Sequence, residues 1–178
     1  MDHFELKTYP DPCLRIKTKS IGVFDAELQK TIKFMSDTMY VSRGIGLAAP
    51  QVGLGLCLLV VDVGDGLLTL INPEIVEEFS KKATMEEGCL SLPGISVKVS
   101  RPSSIKVRYQ DGSGDFNIKM FEDLVAIAIQ HEMDHLDGKM IIDYLNPISY
   151  FFAVRKLSNI KNNNQSCEVV CNVGTPDK

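Results

Sequence analysis

The chain has 178 residues, 44% of them hydrophobic, which suffices for one sizeable core and, on length, for one domain rather than two. A formal net charge of −4 excludes a surface built mainly to neutralise phosphates, so no sequence-specific nucleic acid binding is expected. No apolar run reaches the roughly 18 residues of a membrane span, and the opening MDHFEL lacks the regions of a signal peptide, so a soluble, unexported protein is expected.

After an extended opening, Asp25 is placed to cap a helix whose Leu28, Ile32, Met35 and Met39 recur at helical spacing, ending near SRG. GIGLAAPQVG, residues 44–53, has three glycines and a proline and reads as a tight loop. The continuous apolar run LCLLVVDV (56–63) suits a buried strand, and after the turn GDG the run LLTLIN completes a hairpin. IVEEF, ISVKV, SIKVRY and, beyond the turn-like DGSGD, FNIKM are further strands, making a mixed or antiparallel sheet. From Glu122 to Asp137 the period becomes helical. Leu124, Ile127, Ala128, His131 and His135 share one face, and Gly138 stands where the helix should stop. An amphipathic helix is expected over 146–160, followed by a polar, fraying tail. The fold class is therefore α+β: mixed or antiparallel strands around a central helix, flanked by an N-terminal and a C-terminal helix. Residues 1–160 are expected to form a single domain, which would carry any catalytic site, and 161–178 the tail.

The chemistry concentrates in QHEMDHLDG, residues 130–138. His131 and His135 lie one helical turn apart, so both imidazoles can hold one ion, while Glu132 projects near enough to act on a water bound to it. The extended H-E-x-x-H-x-x-G-x-x-H pattern of some zinc hydrolases fails, because position 141 is Ile141. A downstream glutamate fails too, since none lies between Glu132 and Glu168, and the remaining histidine, His3, sits at the N-terminus. A cysteine is the best third ligand. The five cysteines (13, 57, 89, 167 and 171) are odd in number and widely spread, which suits reduced thiols in a reducing compartment. Cys57 falls within an apolar run and reads as core. Cys13, Cys167 and Cys171 come with no local motif. Cys89, in EEGCLSLPG, follows the flexible Gly88; a buried core thiol is the commoner fate of such a residue, but the missing ligand turns the balance.

Three stretches, GIGLAAPQ (44–51), EGCLSLPG (87–94) and QHEMDHLDG (130–138), resemble in order and separation the three signature motifs of the peptide deformylases, and YPDPCLR near the start resembles that family's opening. The likeness spans roughly residues 9–146. It implies that Cys89, His131 and His135 bind one divalent ion, with water as the fourth ligand. Fe2+ would be physiological, and Zn2+, Ni2+ or Co2+ able to substitute. It implies hydrolysis of the N-formyl group on the initiator methionine of new polypeptides. Metal-bound water would attack the formyl carbon, with Glu132 as general base and acid and with the Gln51 side-chain amide and Leu90 N–H donating to the oxyanion. Family pocket positions fall on Ile45, Leu124, Ile127 and Ala128, with Gly44, Ile45, Gly46 and Gly88 along the substrate; core packing serves Leu124 equally well. Glu87, Arg101 and Asp134 would brace the site. Ser96 departs from the bulkier or basic residue of many bacterial members, which puts specificity beyond methionine in doubt. The nascent-chain substrate motivates a transient ribosome contact, for which Arg155, Lys156 and Lys161 offer charge. The bacterial cytosol is the expected location. A general zinc metalloprotease and a non-catalytic metal-stabilised module are the alternatives.

Overall fold

Leu58–Val61 is apolar at every position because both faces of the strand are covered. The structure, a computed structural model, describes residues 4–170, with side chains to residue 160. In it Leu58–Val61 is β2, lying between β1 (Gly46–Ala48) and β3 (Leu68–Glu78). With β6 (Ser104–Gln110) and β7 (Phe116–Glu122) these form a five-stranded sheet in the order β1-β2-β3-β6-β7, each pair antiparallel. Leu59 and Val61 face a core shared with Ala126, Ile129 and Leu136 of α2 (Asp123–Leu136). Leu58 and Val60 face the opposite core, beneath Leu28, Ile32, Met35 and Met39 of α1 (Ala26–Val41). Each such fully buried side chain contributes about 2 kcal/mol.

The helices begin and end where local chemistry says they should. The Asp25 carboxylate accepts from the N–H groups of Glu27 and Leu28, capping α1. At the far end of α2, Thr18 donates from both its N–H and its hydroxyl to the Leu136 carbonyl, and Gly138 turns the chain at φ +73°. A Cβ there would stand 2.6 Å from the Arg15 carbonyl oxygen, so only glycine fits.

A second, two-stranded antiparallel sheet joins β4 (Lys82–Gly88) to β5 (Ser96–Pro102). Val97 and Val99 of β5 pack into a third core with Leu14, Leu92, Ile141, Ile142 and, from α3 (Pro147–Val170), Ala153 and Leu157.

Four sequence expectations change here. The stretch expected to be a loop at 44–53 contains β1 and a 3-10 turn, Ala49–Val52, because Gly46 and Ala48 pair with Val61 and Leu59. IVEEF is not a separate strand but the continuation of β3. Asn72 at φ +51° and register shifts against β6 interrupt the ladder between LLTLIN and IVEEF, and the Asn72 amide exchanges two hydrogen bonds with the Ile21 backbone. Strand β4 was not predicted: KATMEEG has no alternating apolar face and is held by its pairing to β5. The helix expected to end near residue 160 runs to Val170; Cys167 lies among its residues whose side chains are not described, while His3 and Cys171 lie outside the described residues altogether.

Asp143 fastens the N-terminal segment to the chain beyond α2. Its carboxylate accepts from the Met140 N–H (2.9 Å) and takes both terminal nitrogens of the Arg15 guanidinium. Burial pushes the Asp143 carboxyl up, but Arg15 and the Met140 N–H outweigh it and hold the group below the usual carboxylate range. A depressed folded-state pKa contributes stability above the unfolded value, near 3.9, that is lost as pH falls through the folded one. Both side chains are about a third exposed, so Asp143→Asn should lower stability by only about 1 kcal/mol at pH 7. In urea titrations across pH the two proteins should converge below about pH 4; a deficit constant down to pH 2 would show that the pairing is not its source.

Candidate metal centre

The polar face of α2 turns inward. His131, Glu132 and His135 are 8%, 5% and 1% exposed, and the turn after β4 brings Cys89 against them. One donor atom from each of Cys89, His131 and His135 lies within 4.8 Å of the other two, and Cys89 Sγ is 3.2 Å from His135 Nε2. Among the described residues this is the one such grouping of His, Cys, Asp and Glu. His131 Nδ1 is bonded to Glu87 Oε2 at 2.8 Å, which leaves Nε2 for the centre.

The electrostatics fit a cation at that point. Burial lowers His135 to about 3, keeping it neutral and able to coordinate. Burial also acts to lower His131, but its bonds to Cys89 and Glu87 prevail and carry it to about 10. The two rings thus shift in opposite directions: burial prevails at His135, and the hydrogen bonds to Cys89 and Glu87 prevail at His131. A divalent ion would take the place of the His131 proton, and the thiol and imidazole donors suit several transition metals.

Glu132 lies beside this cluster. Burial raises its carboxyl to about 7, and its Oε2 is fully buried with no hydrogen-bond partner. Such an orphaned oxygen is costly unless something polar enters the site. The other oxygen crowds Gly46, where a Cβ would stand 2.4 Å from Glu132 Oε1. Gln51 is 1% exposed, and the Ala48 N–H donates to its Oε1 at 2.7 Å. That bond fixes the amide so that Nε2 donates toward Ser91 Oγ (3.3 Å) and faces Cys89 Sγ at 3.6 Å. Leu90 follows Cys89, and its side chain packs where a Cβ on Gly44 would collide with it at 2.8 Å.

Behind His131 stands an ion-pair network. Arg101, 4% exposed, grips Glu87 through Nε (2.7 Å) and Nη2 (3.0 Å) and reaches Asp134 through Nη1 (2.9 Å). For Glu87, burial raises the pKa, but His131 and Arg101 overcome it and hold the carboxyl below its ordinary value. Tyr144 completes the network, yet nothing in DYL flagged it in the sequence. Its only sign was proximity in sequence to the histidines.

Two hollows meet at the cluster. A cavity of about 150 Å³ is lined by Ile45, Gly88, Leu124, Ile127, Ala128 and His131, together with Met85 and Glu86, which the sequence did not single out. Leu124, at 41% exposure, lines this cavity and is not core. The neighbouring groove, about 540 Å³, runs past Gly44, Gly46, Cys89, Leu90 and Ser96. Every residue expected at the metal or along the substrate therefore gathers in one place. Of the basic residues offered for a ribosome contact, Lys156 donates to the Gly94 carbonyl at 2.7 Å on the surface, and the side chain of Lys161 lies outside the described residues. Cys13, Cys57 and Cys89 are free thiols, and Cys57 packs at the margin of the core under α2.

Comparison with known proteins is consistent across sequence and structure. Residues 4–150 match the family model described as polypeptide deformylase. A peptide deformylase of Thermotoga petrophila is 43% identical over 157 residues, covering 88% of this chain and 96% of its own length. One from Hydrogenovibrio crunogenus is 45% identical over 159 residues, covering 88% and 94%. The crystal structure of a peptide deformylase from Legionella pneumophila superposes with a TM-score of 0.87 at 38% identity, over 92% of this chain and 98% of that one. That from Ehrlichia chaffeensis, in complex with actinonin, gives 0.86 at 33% identity over 89% and 98%.

The contact between Gly46 and Glu132 supplies a test of the site's packing. Gly46→Ala must displace a buried carboxylate with little room to move, and a misplacement on the scale of an ångström costs on the order of 10²-fold in turnover. Gly55→Ala meets nothing within 4 Å and serves as the control. Equal turnover in the two variants would show that the glycine is not needed to seat Glu132.

Proposed function

Because this chain belongs to the polypeptide deformylase family, whose enzymes are metal-dependent and remove the formyl group from newly made peptides, we propose that it hydrolyses the N-formyl group of an initiator methionine at the Cys89, His131 and His135 centre. The observation that carries this assignment is the convergence of those three donors beside a buried carboxylate with a free oxygen. A divalent ion held there supplies a Lewis acid and lowers the pKa of a water bound to it. Fe2+ is the proposed physiological ion, with Zn2+, Ni2+ and Co2+ accepted by the same thiolate and imidazoles.

The chain's own residues then divide the work. Glu132 takes the proton of the attacking water and returns it to the departing amine, so formate and a free α-amino terminus result. Gln51 Nε2, aimed by the Ala48 N–H, and the Leu90 N–H donate to the oxyanion that develops on the formyl group. The peptide lies in the groove as an added strand along Gly44–Gly46, which reads backbone and tolerates sequence. The methionine side chain enters the cavity of Ile45, Gly88, Leu124, Ile127 and Ala128. Residues 1–160 constitute the catalytic unit, working in the bacterial cytosol with transient contact to the ribosome that supplies its substrate. Among the described residues no helix is long and apolar enough to cross a membrane.

Three variants separate these roles, with metal content and formate release read on the same samples. Glu132→Ala should keep the ion and lose on the order of 10³-fold in turnover. Gln51→Ala should also keep it and lose about 10²- to 10³-fold in kcat. Cys89→Ala should lose ion and turnover together. Full metal retention in Cys89→Ala would overturn the ligand assignment, and unchanged turnover in Glu132→Ala would remove that residue from the proton path.

A further inference from the structure

We propose that Tyr144 is a positioning residue for the metal centre, acting through Asp134, Arg101 and Glu87 on His131; the inference rests on the metal-site reading above. Tyr144 belongs to a 3-10 turn, Ile141–Tyr144, outside the helix that carries the histidines, and its hydroxyl donates to Asp134 Oδ2 at 2.8 Å. That same Oδ2 accepts from Arg101 Nη1 at 2.9 Å, and Nη1 also approaches the Tyr144 oxygen at 3.4 Å. The Tyr144 ring lies against the Arg101 guanidinium, 5.2 Å from its carbon. The remaining Arg101 nitrogens hold Glu87 at 2.7 and 3.0 Å, and Glu87 Oε2 fixes His131 Nδ1 at 2.8 Å.

The geometry gives Tyr144 two distinct tasks. One guanidinium is shared between two carboxylates, and how far it leans toward Glu87 depends on what else satisfies Asp134. The Tyr144 hydroxyl donates to the same Asp134 Oδ2 that Arg101 Nη1 reaches and so shares that acceptor, leaving the other two guanidinium nitrogens seated on Glu87. The ring is the second device. A polar cavity of about 350 Å³, lined by Glu78, Ser100, Asp137 and Lys139, opens onto Arg101, Asp134 and Tyr144. The ring covers one side of the guanidinium there and limits screening of the Arg101–Glu87 pair by water. A carboxylate that holds a ligating imidazole sets the ring's orientation and basicity, and losing such a partner typically costs 10- to 100-fold in metal affinity. Tyr144 stands two links further back, so its share should be smaller than that of Glu87.

The test is Co2+ affinity of the full-length chain, measured by competition with a chromophoric chelator and by the visible absorption of thiolate-bound cobalt. Glu87→Gln should weaken binding by about 10- to 100-fold. Tyr144→Phe, which keeps the ring, should weaken it several-fold, and Tyr144→Ala by more. The double variant Glu87→Gln/Tyr144→Phe should bind no more weakly than Glu87→Gln alone, since both changes act through one carboxylate. The thermal midpoint of metal-free protein is read alongside. Wild-type affinity in both Tyr144 variants, with only the midpoint lowered, would reduce Tyr144 to a structural role and overturn the proposal, as would additive losses in the double variant. If Cys89→Ala bound Co2+ as tightly as the wild type, with the same spectrum, the metal-site reading itself would fail, which is a distinguishable result.

Discussion

Glu87 receives His131 on one oxygen and is clamped by Arg101 through both, and most of what is unusual in this molecule depends on that arrangement. Helix α2 carries two buried imidazoles and a buried carboxylate beside Cys89 and Glu87, away from the Ala126, Ile129 and Leu136 side that packs on the sheet, and burying such groups without partners would cost several kcal/mol. A buried ion pair contributes little net stability of its own, but removing one partner leaves an uncompensated charge at a cost of about 3–5 kcal/mol. The Arg101–Glu87 pair is therefore better understood as a device for fixing His131 than as a source of stability. β4 and β5 exist as a ribbon apart from the main sheet, and their register sets Glu87 opposite Val97 and Ala83 opposite Arg101, on strands that reach α2 from outside the sheet.

The same logic explains the small residues along β1. The groove and the buried carboxylate share one wall, where Gly44 would strike Leu90 and Gly46 would strike Glu132 if either carried a Cβ. Packing that close leaves Glu132 little alternative position, which is how a flexible side chain is made into an oriented one. Gln51 is fixed differently, by an N–H from Ala48 three residues earlier in the chain. The two catalytic candidates are thus oriented by backbone within one short stretch, residues 46–51, held by pairing to the doubly buried β2.

Much of this was legible in the sequence, for identifiable reasons. Helix α1 announces itself through the Asp25 cap and the period of Leu28, Ile32, Met35 and Met39, and β2 through an unbroken apolar run. The spacing of His131 and His135 fixes their common face, and the failure of other third ligands directs attention to Cys89. What could not be read was structure held by partners distant in sequence. β4 has no apolar period because it is built on β5, and the positive φ of Asn72, which interrupts the pairing of β3 with β6, goes with its hydrogen bonds to Ile21 fifty-one residues away. Tyr144 gives no local sign of its contact with Asp134 and Arg101, since only the packing of the turn Ile141–Tyr144 against β5 brings them together.

Under the proposed function, one divalent ion held by Cys89, His131 and His135 is necessary for removal of a formyl group. The most direct measurement adds Fe2+, without oxygen, to metal-stripped protein while following formate release from a short N-formyl-Met peptide. Release should be absent at the start, rise in proportion to metal added and break at one ion per chain. Formate release from fully stripped protein, or none from protein carrying a full equivalent of ion, would contradict it.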